Sequence, residues 1–232
     1  MVNPDALPTS SADWPVYRII PTSYPKIDLF ERLASPDQWE ILYAIEALTN
    51  PRIRQEVGEI SLVPAEDRVS GPGSSWIMAA FTHPPARRQG GRFNKDFGVY
   101  YCAPGEATAI AETSHHRAKF LRDSRIDSLT FEMRVLRAYL GPTHLHDVRN
   151  LEKTEIYHPD DYSGSQRLGA EMRAKNSPGI YYRSVRCDGE CVAVFRPIVL
   201  SNAIHLKYLR YTYQEGAIVD VAPFDKASGA SS

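Results

Sequence analysis

Three residues within a short stretch have the types needed to act together on a nucleotide. Arg92 lies in the basic, glycine- and proline-rich run HPPARRQGGRFN (83–94), Tyr101 sits at the end of the apolar run FGVYYCA (97–103), and Glu112 follows eleven residues later. A guanidinium meets a pyrophosphate through planar, bidentate hydrogen bonds. An aromatic ring offers its face to a flat base. A carboxylate stabilises the positive charge that develops on a ribose as its glycosidic bond breaks. As a set they suit a dinucleotide whose glycosidic bond is to be cleaved. Arg87 and Arg88 add charge to the loop, and Gly90-Gly91 would let backbone approach a ligand closely. The same residues also fit a solvated basic loop, a Tyr101 packed in the core and a solvated Glu112, and spacing alone leaves both readings open.

Other chemistries find less support. There is no GxxxxGK[ST] phosphate loop, no HExxH and no GxSxG elbow. Gly71-Pro72-Gly73-Ser74-Ser75-Trp76 begins like a dinucleotide fingerprint but lacks its third glycine and a strand leading into it. Cys187 and Cys191 are four apart with no second pair, which fits reduced thiols around a hairpin better than structural zinc. His144 and His146 would share a strand face beside Asp147, but a metal hydrolase needs a further ligand that the sequence does not place. His115-His116 would diverge on a helix. No metal site is expected.

The 232 residues are 43% hydrophobic and 24% charged, values of an ordinary globular domain, which excludes a disordered, collagen-like or coiled-coil chain. The formal net charge of −1 argues against a protein whose main work is gripping nucleic-acid phosphates. Three cysteines suit a reducing compartment. With no secretory signal at its start and no apolar run near the ~20 residues of a membrane helix, the expectation is a soluble cytoplasmic protein.

The elements that must position these residues follow from periodicity and punctuation. Strands are expected at 16–20, 76–81, 97–103, 129–136, 180–185, 191–199 and 204–211. Helices are expected at 26–33, 35–48, 106–121 and from a Ser163 cap to 175. Residues 1–13 and the tail 223–232 read as frayed. Closely spaced late strands with interspersed helices predict one α+β domain with a mixed or antiparallel sheet.

Six blocks, in order, resemble the RES-domain family: GGRFN (90–94), GVYYCA (98–103), AIAETSHHRAKFL (109–121), DDYSGSQRLGA (160–170), GIYYRSVR (179–186) and GECVAVFRP (189–197). The likeness runs from Trp14 to about Ile218, so a domain is drawn at 14–222 with a helical insertion at about 21–70. The resemblance implies an ADP-ribosyltransferase-like fold and the toxin half of a bacterial RES–Xre toxin–antitoxin pair. It also implies NAD+ as substrate, with no prosthetic group. It carries functional positions onto Arg18, Arg92, Tyr101, Glu112 and Ser184. Arg92, helped by Arg18, would hold the pyrophosphate. Tyr101 would stack on nicotinamide or its ribose, since alternation turns Tyr100 to the other face. Glu112 would stabilise the oxocarbenium, and Ser184 would orient nicotinamide or a phosphate. The implied reaction passes ADP-ribose to water or phosphate. Transfer to a cellular protein is the alternative, and a non-catalytic nucleotide- or antitoxin-binding module the third. The implied partner is an Xre-type antitoxin that blocks the pocket, with a homodimer or larger assembly, and no nucleic acid or membrane is contacted directly. Phe93 stands where compact members have Trp, and Arg183 precedes Ser184 where proline is common, which opens the question of how Ser184 is oriented.

Overall fold

The structure is a computed structural model that describes residues 6–22, 58–83, 90–152 and 154–225. The expected helices at 26–33 and 35–48, most of the expected insertion, the Arg87-Arg88 pair and the end of the tail lie outside the described residues.

Seven strands and four α-helices are present among the described residues: β1 (Thr9–Pro21), α1 (Ser74–Thr82), β2 (Tyr100–Cys102), α2 (Glu106–Asp123), β3 (Ser128–Asp147), α3 (Thr154–Tyr157), α4 (Ser163–Ala174), β4 (Gly179–Arg183), β5 (Glu190–Val194), β6 (Leu200–Gln214) and β7 (Ala217–Phe224). The strands form one mixed sheet in the order β2-β5-β4-β3-β6-β7, with β1 also paired to β3. Only the β3–β4 pairing is parallel. Tyr17 and Ala103 exchange backbone hydrogen bonds of 2.8 and 2.9 Å, which brings β1 back against the end of β2. No helix among the described residues is long and apolar enough to cross a membrane.

β3 organises the sheet. Its alternation sends Met133 and Val135 to one face and Leu136, Ala138 and Leu140 to the other, and both sets are buried. Each face therefore carries its own core. One is covered by α1 through Trp76, Ile77, Met78 and Phe81. The other is covered by α2, α3 and α4 through Ala109, Ile156, Leu168 and Met172, together with Phe93. Burial of each such large apolar side chain contributes about 1.5–3 kcal/mol. Gly141-Pro142 falls where the β1–β3 register slips, a place where a residue without an N–H leaves no ladder bond unmade.

Several expectations are corrected. Residues 76–81 are helical, not a strand. A short continuous apolar run fits either, and SSWIMAAFT is wedged against the sheet with most of its residues buried. The stretch at 9–13 is not frayed, because Thr9–Ala12 pair with His146–Thr143 on β3. Strand β7 reaches Phe224 through its pairing with β6, into the expected tail. Ser163 is the first residue of α4 and not its cap; Asp161 Oδ1 accepts the Ser163 N–H at 2.9 Å. The strands at 191–199 and 180–185 are shorter than expected, and β3 and β6 are longer.

Candidate active site

The chemistry-bearing side chains gather on the face covered by α2 and α4. Glu112 lies midway along α2, and Ser184 directly follows β4. Ser184 Oγ donates to Glu112 Oε1 at 2.6 Å and accepts the backbone N–H groups of Arg186 (3.0 Å) and Cys187 (3.3 Å). With two donors aimed at its oxygen, the hydroxyl has its own proton directed at the carboxylate. The Ser184 N–H donates to the Gly189 carbonyl at 2.8 Å, closing the β4–β5 hairpin. Arg183 does not disturb this arrangement. It is exposed, and its guanidinium stacks 4.9 Å from the Tyr157 ring centroid. A cleft of about 430 Å³, within the size range of ligand pockets, opens beside Ser184 and is walled by Tyr157, Cys187 and Gly189.

The GGRFN loop is locked by Tyr101. The phenol accepts the Phe93 N–H at 2.8 Å and donates to Asn94 Oδ1 at 2.7 Å, while Asn94 Oδ1 also accepts the Gly91 N–H at 2.9 Å. The glycines here admit protein and not the expected ligand. A Cβ on Gly91 would stand 2.5 Å from the Tyr101 ring, and one on Gly90 would stand 2.0 Å from the Asn94 carbonyl oxygen. Burial pushes the Tyr101 phenol well above its usual value, against the opposing pull of the Phe93 N–H and Arg92, so it stays protonated.

Arg92 is buried and anchored by one nitrogen. Its Nη1 donates to the carbonyls of Ile156 (2.9 Å) and His158 (3.0 Å), and its guanidinium lies 4.7 Å from the Tyr162 ring centroid. Arg18 is placed differently. Its guanidinium stacks 4.6 Å from the centroid of Tyr100, the ring that packs in the other core, and its Nη1 reaches the Tyr101 carbonyl at 3.4 Å. The structure thus joins Glu112 to Ser184 directly. It fixes Arg92 and Tyr101 through one loop, and it sets Arg18 behind β2.

Asn94, Tyr162 and Gln166 join the site without having been singled out from sequence as site residues, and His115 and His116 join it outside the metal role weighed for them. Asn94 ties down the loop, Tyr162 backs Arg92, and Gln166 Nε2 donates to the Gly91 carbonyl at 3.0 Å. His116 Nε2 stands 3.8 Å from Glu112 Oε2. Partial burial and the neighbouring Arg186 and Arg92 push its imidazole down to about 4, so it is neutral at pH 7. His115 is lowered to about 4 in the same way, by partial burial and then by Arg186. All of these lie inside the six sequence blocks, whose extent was the available signal.

The remaining candidates are occupied elsewhere. Asp147 is held by Arg149 and Ser10. His146 pairs with Ser177 at 2.8 Å, and His144 lies 3.4 Å from Ser11. Among the described residues no three His, Cys, Asp or Glu side chains converge as a metal set. All three cysteines are free thiols, and burial raises that of Cys191, which lies 3.9 Å from Glu112 Oε1.

An uncharacterized protein, y4oC, of Sinorhizobium fredii is 28% identical over 214 residues, covering 91% of this chain and 88% of that one. Among solved structures, the M. tuberculosis MbcT–MbcA toxin–antitoxin complex aligns at a TM-score of 0.46 and 14% identity, over 88% of this chain and 89% of that chain. The family profile described as RES domain matches residues 66–214, more than half of the chain. A match of that extent, running through the site from Arg92 to Arg186, shows that the chain belongs to the RES domain family.

Proposed function

We propose that this protein is a toxin that consumes NAD+, cleaving the bond between nicotinamide and ribose and passing ADP-ribose to water or phosphate. The observation that carries the reading is the 2.6 Å Ser184–Glu112 pair beside a buried Arg92 whose hydrogen bonds among the described residues use only Nη1. The nicotinamide of NAD+ is already a cationic leaving group. When the C–N bond breaks, its electron pair stays with nicotinamide, which departs neutral, and positive charge develops on the ribose ring. Glu112 stabilises that charge. Ser184 orients the carboxylate, and Arg92 holds the pyrophosphate. Tyr101 keeps the arginine loop in place, with Arg18 supporting β2 from behind. The incoming water or phosphate oxygen bonds to the ribose carbon and releases its proton to solvent. The partner of such a toxin is an Xre-type antitoxin that covers the cleft beside Ser184, in a homodimer or larger assembly, and the site of action is the cytoplasm.

Product analysis tests the reading. Antitoxin-free protein is incubated with NAD+, with and without phosphate, and separately with cytoplasmic extract. Nicotinamide release without extract, beside ADP-ribose or its phosphate ester, is the expected result. Release only with extract, beside a labelled protein band, would replace it with transfer to a protein. No release under any condition would leave a binding module.

A further inference from the structure

The hairpin that carries Ser184 also carries a second arginine for which the proposed reaction has no assigned role. Arg186 is half-buried. Its backbone N–H fixes Ser184 Oγ, and its Nη2 donates to the Pro159 carbonyl. Its Nε is fully buried and has no hydrogen-bond partner among the described residues. A buried cationic donor without an acceptor is costly, and an anion would satisfy it.

The anchor points of Arg186 and Arg92 are adjacent. Arg92 Nη1 takes the carbonyls of Ile156 and His158, and Arg186 Nη2 takes that of Pro159. One turn of chain thus holds two guanidiniums, each by a single nitrogen. Both act on His116, the residue next to Glu112 in space, from their two positions.

We propose that Arg186 is a further phosphate-binding residue, and that with Arg92 it forms a two-armed clamp for phosphate groups beside the Glu112–Ser184 pair. Planar guanidiniums bind phosphate oxygens in pairs, which a single arginine cannot do for two phosphate groups at once. The phosphate has two possible sources, the pyrophosphate of the dinucleotide or a free phosphate acting as acceptor. The inference rests on the NAD+ reading only for that choice.

The test is calorimetric titration of the full-length chain with ADP-ribose and with inorganic phosphate, repeated on Arg186→Gln, Arg186→Lys and, as a control, Arg210→Gln. The expected result is a loss of ADP-ribose affinity of about tenfold or more in Arg186→Gln, the effect of one charge-assisted hydrogen bond. Arg186→Lys should recover part of it. Arg210→Gln should match the parent, since that side chain stacks on Phe224 at the β6–β7 edge, with β3 between it and β4. Unchanged ADP-ribose affinity with a similar loss for inorganic phosphate assigns the clamp to a free phosphate. A readout on the parent protein removes dependence on variant folding: the Arg186 Nε–H resonance should shift on adding whichever ligand binds. No shift, unchanged affinity for both ligands, or no binding of either by the parent overturns the clamp. Binding that behaves as expected in a protein that releases no nicotinamide would keep the clamp and remove the proposed reaction.

Discussion

Tyr100 and Tyr101 are neighbours in β2, and their rings face opposite covers of the sheet. Tyr100 is fully buried in the core under α1, with its hydroxyl unpartnered among the described residues and Arg18 over its ring. Tyr101 faces the α2 and α4 side, and its hydroxyl both accepts and donates. Strand alternation treats the two faces alike, and both are lined with Val, Ile, Leu and Ala. The difference comes from the covers. Helix α1, SSWIMAAFT, has no charged residue, whereas α2 brings Glu112, His115 and His116 to its side. The GGRFN loop and the 184–189 turn add Arg92, Ser184 and Arg186. The sheet supplies a rigid plane, and the elements laid on it decide which face can do chemistry.

Two substitutions separate the faces most sharply. Glu112→Gln should abolish nicotinamide release, by about 10³-fold, because the charge that stabilises the ribose cation is gone. Its unfolding midpoint should stay close to the parent's, since the carboxylate is only partly buried and the amide still accepts from Ser184. NAD+ consumption by this variant at the parent rate would remove Glu112 from the reaction. Met78→Ala should do the reverse. Met78, on α1, is fully buried against the sheet, and its truncation should cost about 2–5 kcal/mol in denaturant unfolding. Activity per folded molecule should be unaffected. A comparable rate loss in Met78→Ala would show that the faces are coupled.

That contrast also explains what the sequence revealed. Arg92, Tyr101 and Glu112 stood out by type and order, but spacing alone left a solvated loop and a core tyrosine equally open, and it was the order of the six blocks that singled them out. Helix α2 was legible from its period and α4 from its punctuation. Helix α1 was not, because a run of apolar residues has no periodicity to distinguish strand from buried helix. Neither was the ordering of 9–13, which depends on a partner strand more than a hundred residues away. The function of Gly90-Gly91 was misread for a related reason. Close approach is visible in a glycine, but what approaches is not, and here it is Tyr101 and Asn94. Arg18, which only the resemblance singled out, stacks from β1 over the Tyr100 ring.

The tyrosine pair gives a finer comparison. Tyr101→Phe leaves the Phe93 N–H without its acceptor and Asn94 Oδ1 with only the Gly91 N–H, so it should destabilise by about 1–3 kcal/mol and slow turnover by loosening Arg92. Tyr100→Phe removes a hydroxyl that has no partner among the described residues, so it should be neutral or stabilise by up to about 1 kcal/mol. Unfolding midpoints of the two variants, measured side by side, check the pair. A loss in Tyr100→Phe equal to that in Tyr101→Phe would mean that the Tyr100 hydroxyl has a partner after all.

The smallest expected effect lies in the response of the site face to acid. Partial burial and Arg186 hold both His115 and His116 down to about 4, against 6.5 for an ordinary histidine. Between these values the unfolded chain binds more protons than the folded one, so stability rises with pH across that window. It is therefore lost as pH falls from about 6.5 towards 4. Around these rings stand Arg92, Arg117, Lys119 and Arg186 as cations and Glu112 and Asp160 as carboxylates. The cations outnumber the carboxylates, which keeps the direction of the shift downward. Thermal midpoints recorded between pH 7 and 4 should fall with acid, and replacing both histidines by glutamine should flatten the curve. Some slope should persist, because His146 and His205 are also lowered by burial. A curve as steep without His115 and His116 as with them would place the acid sensitivity elsewhere than beside Glu112.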